Sequence, residues 1–159
     1  MRDQYGRRDR LVQEERHDTY RGRGKLPEPA VCGRCGALFA GGRWSWQEAP
    51  PGAARVTCPA CQRAEDGYPA GRVEIRGDFF RRHRDEILNL VRNEEAAEKA
   101  ARPMERIMAV EETADGVLVL TTGVHVARRI GEALARAYQG DFSFQYAEGE
   151  KRIRVSWSR

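Results

Sequence analysis

The sequence predicts an α+β protein: a small four-cysteine zinc ribbon followed by a ferredoxin-like β-α-β-β-α-β sandwich with one further strand. Three observations carry that prediction. Two Cys-x-x-Cys pairs, Cys32-Gly33-Arg34-Cys35 and Cys58-Pro59-Ala60-Cys61, hold all the cysteines of the chain, with 22 residues between them. From Arg72 onward, stretches with alternating apolar residues and stretches with helically spaced ones follow one another in an order that fits the sandwich. Gly67, Pro69 and Gly71 punctuate the junction. The chain divides accordingly into a disordered basic arm (1–25), the ribbon (26–66) and the sandwich (67–159).

The cysteine pairs come first because their spacing carries chemistry. Four thiolates so arranged can surround one Zn²⁺ tetrahedrally, which makes Cys32, Cys35, Cys58 and Cys61 the metal ligands. Gly33 and Gly36 suit the tight turn that points backbone amides at sulfur. The rivals are a redox dithiol, which ordinarily needs one pair beside a βαβ unit, and disulfides, which need an oxidising compartment. Met1-Arg2-Asp3-Gln4-Tyr5 opens without an apolar stretch, so a reducing cytoplasm is the expectation. With all four positions filled by sulfur, no site remains for an activated water, and the zinc is expected to be structural.

Composition sets the bounds. The chain has 159 residues, 40% hydrophobic and 33% charged, enough for one medium domain or two small ones. No apolar run is long enough to cross a membrane. The formal charge of +4 falls to about +2 once four thiolates and one Zn²⁺ are counted. Lysine occurs only at Lys25, Lys99 and Lys151, so arginine supplies nearly all the basic charge, and its placement must carry any nucleic-acid argument.

Residues 1–25 contain almost no aliphatic side chains and two basic, glycine-containing runs, each with a tyrosine (Tyr5 and Tyr20). Such a stretch is expected to be disordered in isolation, either as an arm for RNA phosphate or as a solvated tail diluted by Asp9, Glu14, Glu15 and Asp18. Leu26-Pro27-Glu28-Pro29 leads stiffly into the first knuckle. Ala37–Phe39 and Arg43–Trp46 are expected strands around Gly41-Gly42, and Arg55–Thr57 runs into the second knuckle. Trp44 and Trp46 lie on one side of their strand, where they cover the small core or offer a base-stacking surface. Residues 62–71 are expected to be a linker.

In the second unit, Val73 and Ile75 alternate with Arg72, Glu74 and Arg76 as a strand with one wet face. Asp78 is an expected N-cap for one long helix, with Phe79, Phe80, Ile87, Leu88, Leu90 and Val91 at helical spacing and Pro103 beyond its end. Met104–Thr113 and Val117–Thr122 form a hairpin around Asp115-Gly116. Thr121 or Thr122 should cap a second helix, Val124–Tyr138, which Gly140 ends. Two alternating strands follow, over Phe142–Tyr146 and Ile153–Trp157. The hairpin is apolar on both sides, so either a ribbon, a second copy of the chain or another partner covers its second face, or central strands there tolerate a few exposed aliphatics.

Catalysis finds little support. His17, His83 and His125 stand beside no nucleophile, and no glycine-rich phosphate loop precedes a helix. No small-molecule substrate is implied. Two basic clusters remain: Arg81, Arg82 and Arg84 around the first helix, with Arg76 and His83, and Arg128 and Arg129 in the first turns of the second. Arginine at a helix N-terminus can complete an anion site. Ordinary surface arginine paired with Asp85, Glu86 or Glu132 is the other account.

Tyr20 through the Lys25-Leu26-Pro27-Glu28-Pro29 segment, Cys32-Gly33-Arg34-Cys35-Gly36, Arg43-Trp44-Ser45-Trp46 and Cys58-Pro59-Ala60-Cys61 together resemble the bacterial NMD-type zinc-ribbon proteins, labelled as affecting ribosome stability and mRNA decay. Glu111-Glu112-Thr113, Thr121 through Ile130 and Ala137–Gly140 fit the same group. That group is distantly similar to the N-terminal part of the large-ribosomal-subunit export adaptor of eukaryotes, whose Cys-x-x-Cys zinc sites precede small α/β domains. The resemblance implies an RNA or ribosome partner. The expected function is therefore a non-enzymatic, cytoplasmic zinc protein that binds RNA or the ribosome. Arg34, Arg43, Trp44, Trp46, Arg81, Arg82, Arg84, Arg128 and Arg129 are its candidate contacts. The alternative is a protein–protein module or homodimer using the second face of the 104–122 hairpin.

Overall fold

The structure is a computed structural model and describes residues 26–159, so the basic arm expected over 1–25 lies outside the described residues. It is α+β, with two mixed sheets and four helices among the described residues.

The first unit contains β1 (Ala30–Cys32), β2 (Leu38–Ala40), β3 (Arg43–Ser45), β4 (Ala54–Val56) and α1 (Pro59–Asp66). Its sheet has the order β3-β2-β1-β4, antiparallel except for the parallel pair β1–β4. Three-residue strands bury very little, and the core is accordingly small: Cys32, Ala37, Cys58 and Ala60, with Trp44 and Met104 packed against them. Residues 62–66, expected in a linker, belong to α1 instead. The Cys58 Sγ accepts from the Cys61 amide and Pro59 occupies the first turn, so the knuckle itself starts the helix. Gly67, at φ 64°, ends it in the left-handed conformation that glycine adopts without penalty.

The second unit contains β5 (Gly71–Arg76), α2 (Asp78–Arg82), α3 (Arg84–Ala101), β6 (Ile107–Glu112), β7 (Gly116–Thr121), α4 (Val124–Tyr138), β8 (Asp141–Ala147) and β9 (Arg152–Ser158). Its sheet order is β6-β7-β5-β9-β8. The chain leaves α4 to the outer edge as β8, turns, and brings β9 inside, parallel to β5. The elements follow the expected order β-α-β-β-α-β-β, with the first helix in two pieces, but the sheet does not have the expected ferredoxin-like order, because β9 and not β8 lies beside β5. Apolar alternation reports which face of a strand is buried, and it does not specify the neighbouring strand.

Phe80 from α2, Ile87, Leu88 and Val91 from α3, and Val126, Ile130 and Leu134 from α4 pack on Val73, Ile75, Val117, Val119, Val155 and Trp157. These three helices therefore share one sheet face. The expected single helix after Asp78 is broken at His83, whose backbone (φ −120°, ψ 27°) departs from helical values. The cause is tertiary. The amides of Phe79 and Phe80 donate to the Arg159 carbonyl, which ties α2 to the end of β9. Gly77 caps α2, and Asp78 lies inside it, paired with Arg81.

The opposite sheet face carries no helix of this unit. Its central row is Leu120, Arg72, Arg154 and Gln145, directly opposed on β7, β5, β9 and β8. The next is Glu111, Leu118, Glu74, Ser156 and Ser143. Leu118 and Leu120 are partly exposed there, so the second face of the hairpin has its aliphatic side in contact with water.

Candidate metal centre

The two knuckles bring the Sγ atoms of Cys32, Cys35, Cys58 and Cys61 within 4.8 Å of one another. Cys35 and Cys58 stand 3.7 Å apart, and all four are free thiols rather than disulfides. Four sulfurs at the ordinary zinc–sulfur distance of about 2.3 Å in a tetrahedron lie about 3.8 Å from one another, so the cage fits that ion. Backbone amides already point at sulfur: Cys58 N–H donates to Cys32 at 3.3 Å and Cys61 N–H to Cys58 at 3.3 Å. β1 supplies Cys32 at its end, and Cys32 N–H donates to the Ala37 carbonyl at 2.8 Å, closing the first knuckle. The start of α1 supplies the second pair.

The electrostatics of Cys32 differ from those of Cys58 and Cys61. Burial pushes Cys32 up, but amides of Cys58, Cys35 and Arg34 outweigh it and bring the thiol down to about 6. Burial dominates at Cys58 and Cys61 and raises both, with the charge of Cys35 adding to the push and Arg106 opposing it. The protein alone therefore favours a thiolate at Cys32 and resists one at Cys58 and Cys61. A divalent cation in the cage would supply the charge needed to hold four thiolates together.

Arg106 is the residue that sequence reasoning missed. It lies between α3 and β6, in the other unit, and its guanidinium donates to Cys35 Sγ at 3.1 Å, Cys61 Sγ at 3.3 Å and Cys58 Sγ at 3.6 Å. The thiols hold it firmly protonated against its own burial. Its partners lie 45 to 71 residues away, so no local motif points to it.

The candidate RNA contacts are scattered. Trp44 is half-buried, lies tilted 5.1 Å from Phe39 and packs on the ribbon core. Trp46 faces the other unit: its Nε1 donates to the Lys99 carbonyl at 2.7 Å, and the Arg106 guanidinium lies 5.5 Å from its ring. Arg34 pairs with Glu65 at 2.9 Å, Arg81 with Asp78, and Arg84 with Glu112. Arg128 lies 3.6 Å from Glu132 and over the Phe144 ring, and Arg129 lies 3.4 Å from Glu98. Arg43 and Arg82 are exposed. Arg81, Arg82 and Arg84 adjoin the Arg76 end of β5, whereas α4 starts at its Gly71 end, where Thr121 pairs with Gly71. The two arginine clusters thus stand at opposite ends of the sheet.

The expected anion site at the start of α4 is filled by the protein. The Glu105 carboxylate accepts from Val126 N–H at 2.9 Å, and Gly123, without a side-chain bond, is the cap. Thr121 and Thr122 do not cap: Thr121 donates to the Gly123 carbonyl, and Thr122 to that of Met104.

Comparison with family models, with curated proteins and with solved structures returns no match for this chain. No helix among the described residues is long and apolar enough to cross a membrane.

Proposed function

We propose that this chain is a non-enzymatic, zinc-stapled RNA-binding protein of the cytoplasm, with RNA held on the helix-free face of the five-stranded sheet. The observation that carries the reading is the pair Arg72 and Arg154, directly opposite one another on β5 and β9 in the middle of that face. Like charges so placed destabilise a sheet. No ion pair offsets either one among the described residues. An RNA phosphate between the two guanidiniums relieves the repulsion, and arginine planes beside Leu118 and Leu120 give unpaired bases something to lie on. Four thiolates fill the metal's coordination, so the zinc contributes folding energy and no chemistry on a substrate. The resemblance of the knuckles to NMD-type zinc-ribbon proteins agrees with a ribosomal source for the RNA.

The test is fluorescence anisotropy of a labelled single-stranded RNA across a salt series, with co-sedimentation of the tagged protein with ribosomes at low and moderate salt. Binding that weakens steeply with salt supports the proposal. No binding to RNA or ribosomes, together with a salt-insensitive dimer by light scattering, would replace it with pairing through Leu118 and Leu120.

A further inference from the structure

We propose that Arg106 is a positioning residue of the metal centre, through which metal binding and docking of the ribbon on the α/β unit become one coupled event. The proposal rests on reading the four cysteines as a zinc site.

Arg106 touches sulfurs of both knuckles, yet the hydrogen bonds that orient it apart from those sulfurs come from the other unit. Its Nε donates to the Pro103 carbonyl at 2.6 Å, and its backbone N–H donates to Thr122 Oγ1 at 2.9 Å. The Thr122 hydroxyl donates in turn to the Met104 carbonyl at 2.6 Å. The guanidinium is thus presented ready-oriented at the cage. Around it, Met104 packs on the ribbon core and Trp46 donates to Lys99. The contacts of Arg106, Met104 and Lys99 with the ribbon all come from the connection between α3 and β6 or from the end of α3.

Four thiolates on one divalent cation leave a net charge of −2, which a guanidinium donating to three of the sulfurs partly neutralises. The planar fork donates to several sulfurs while its Nε stays bonded to the Pro103 carbonyl, an arrangement that a lysine ammonium cannot reproduce. Partners of this kind orient metal ligands, and their loss typically weakens metal affinity about 10–100-fold. Coupling is reciprocal: whatever docking adds to metal affinity, metal adds to docking by the same factor. The metal centre therefore sets the relative placement of the two units as well as the ribbon's own fold.

The experiment compares wild type with Arg106→Gln, Arg106→Lys and, as a control on the first knuckle, Arg34→Gln. Zinc affinity is measured by competition with a chromophoric chelator, ribbon folding by hydrogen exchange over residues 30–61, and docking by small-angle scattering and proteolysis at residues 67–70. Arg106→Gln should raise the zinc Kd by about 10–100-fold. At saturating zinc it should keep the ribbon amides protected while enlarging the particle and exposing 67–70 to cleavage. Arg106→Lys should fall between, and Arg34→Gln should match wild type. A zinc-loaded Arg106→Gln protein with wild-type affinity and wild-type compactness would overturn this proposal and leave the zinc site standing. If Arg106→Gln does not fold, an Arg106→Lys protein indistinguishable from wild type in both readouts would overturn it equally. A wild-type protein that takes up no zinc would overturn both readings.

Discussion

Replacing Arg72 by glutamine should move stability and RNA affinity in opposite directions. Arg72 faces Arg154 across the β5–β9 pair, with Leu120 on its other side. A like-charged pair directly opposed in a sheet costs roughly 0.2–1 kcal/mol, and solvent screening at this open face keeps the value toward the lower end. Arg72→Gln keeps a long side chain over Leu120 and deletes the charge, so urea denaturation should show a gain of about 0.2–0.5 kcal/mol. On the proposed RNA-binding reading, one phosphate partner is lost. For single-stranded nucleic acid each contact contributes about −0.7 to the slope of log K against log salt, so Arg72→Gln should flatten that slope by about 0.7 and the double change with Arg154→Gln by about 1.4. Arg76 lies 3.8 Å from Glu74, so Arg76→Gln should change the slope less. Equilibrium unfolding and anisotropy titrations at several salt concentrations read both quantities. A variant that loses stability while its salt slope stays unchanged would refute the reasoning and assign Arg72 to sheet packing.

Three further outcomes follow from the geometry. Trp157 is fully buried and donates to the Gln139 carbonyl at 2.7 Å, so Trp157→Ala should cost about 3–5 kcal/mol by urea denaturation. Burial raises the Glu105 carboxyl, with Glu98 adding to it, against the pull of Val126 N–H and of His125. Because its pKa is higher folded than unfolded, folding favours the protonated form: its penalty is full above the folded pKa and fades as pH falls toward the ordinary glutamate value near about 4.3. Glu105→Gln keeps an acceptor for Val126, so the stability difference between it and wild type should favour the variant at neutral pH and shrink as pH falls, as unfolding curves across pH will show. Cys58→Ser should abolish amide protection over about residues 30–61 and leave β5–β9 protected, because structural zinc contributes folding energy directly.

What is legible in the sequence follows the range of the interactions. The cysteine cage can be read because its geometry is local: each knuckle spans four residues, and the spacing alone implies a common point. Strand faces and helix stripes can be read for the same reason. Some arginine partners are within reach of spacing rules, such as Arg81 with Asp78 and Arg128 with Glu132, three and four residues apart. Others are not: Arg84 meets Glu112, and Arg129 meets Glu98, across the fold. At the start of α4 the neighbouring threonines are the local candidates for a cap, whereas the carboxylate that accepts there comes from 21 residues upstream. Helix α1 is hidden because a cysteine sulfur, not an oxygen, accepts at its start. The position of β9 and the role of Arg106 are invisible for one reason. Neither a strand's neighbour nor a side chain's distant partner leaves a periodic trace in the chain.

The central proposal is that the clustered sulfurs of Cys32, Cys35, Cys58 and Cys61, which can hold a metal ion, hold one structural zinc. Elemental analysis of purified protein combined with hydrogen exchange before and after chelation tests it most directly. The account predicts about one zinc per chain, and loss of amide protection over β1–β4 and α1 when the metal is removed, while Val73, Ile75 and Val119 stay protected. Metal-free protein whose ribbon amides exchange as slowly as those of the α/β unit would contradict it.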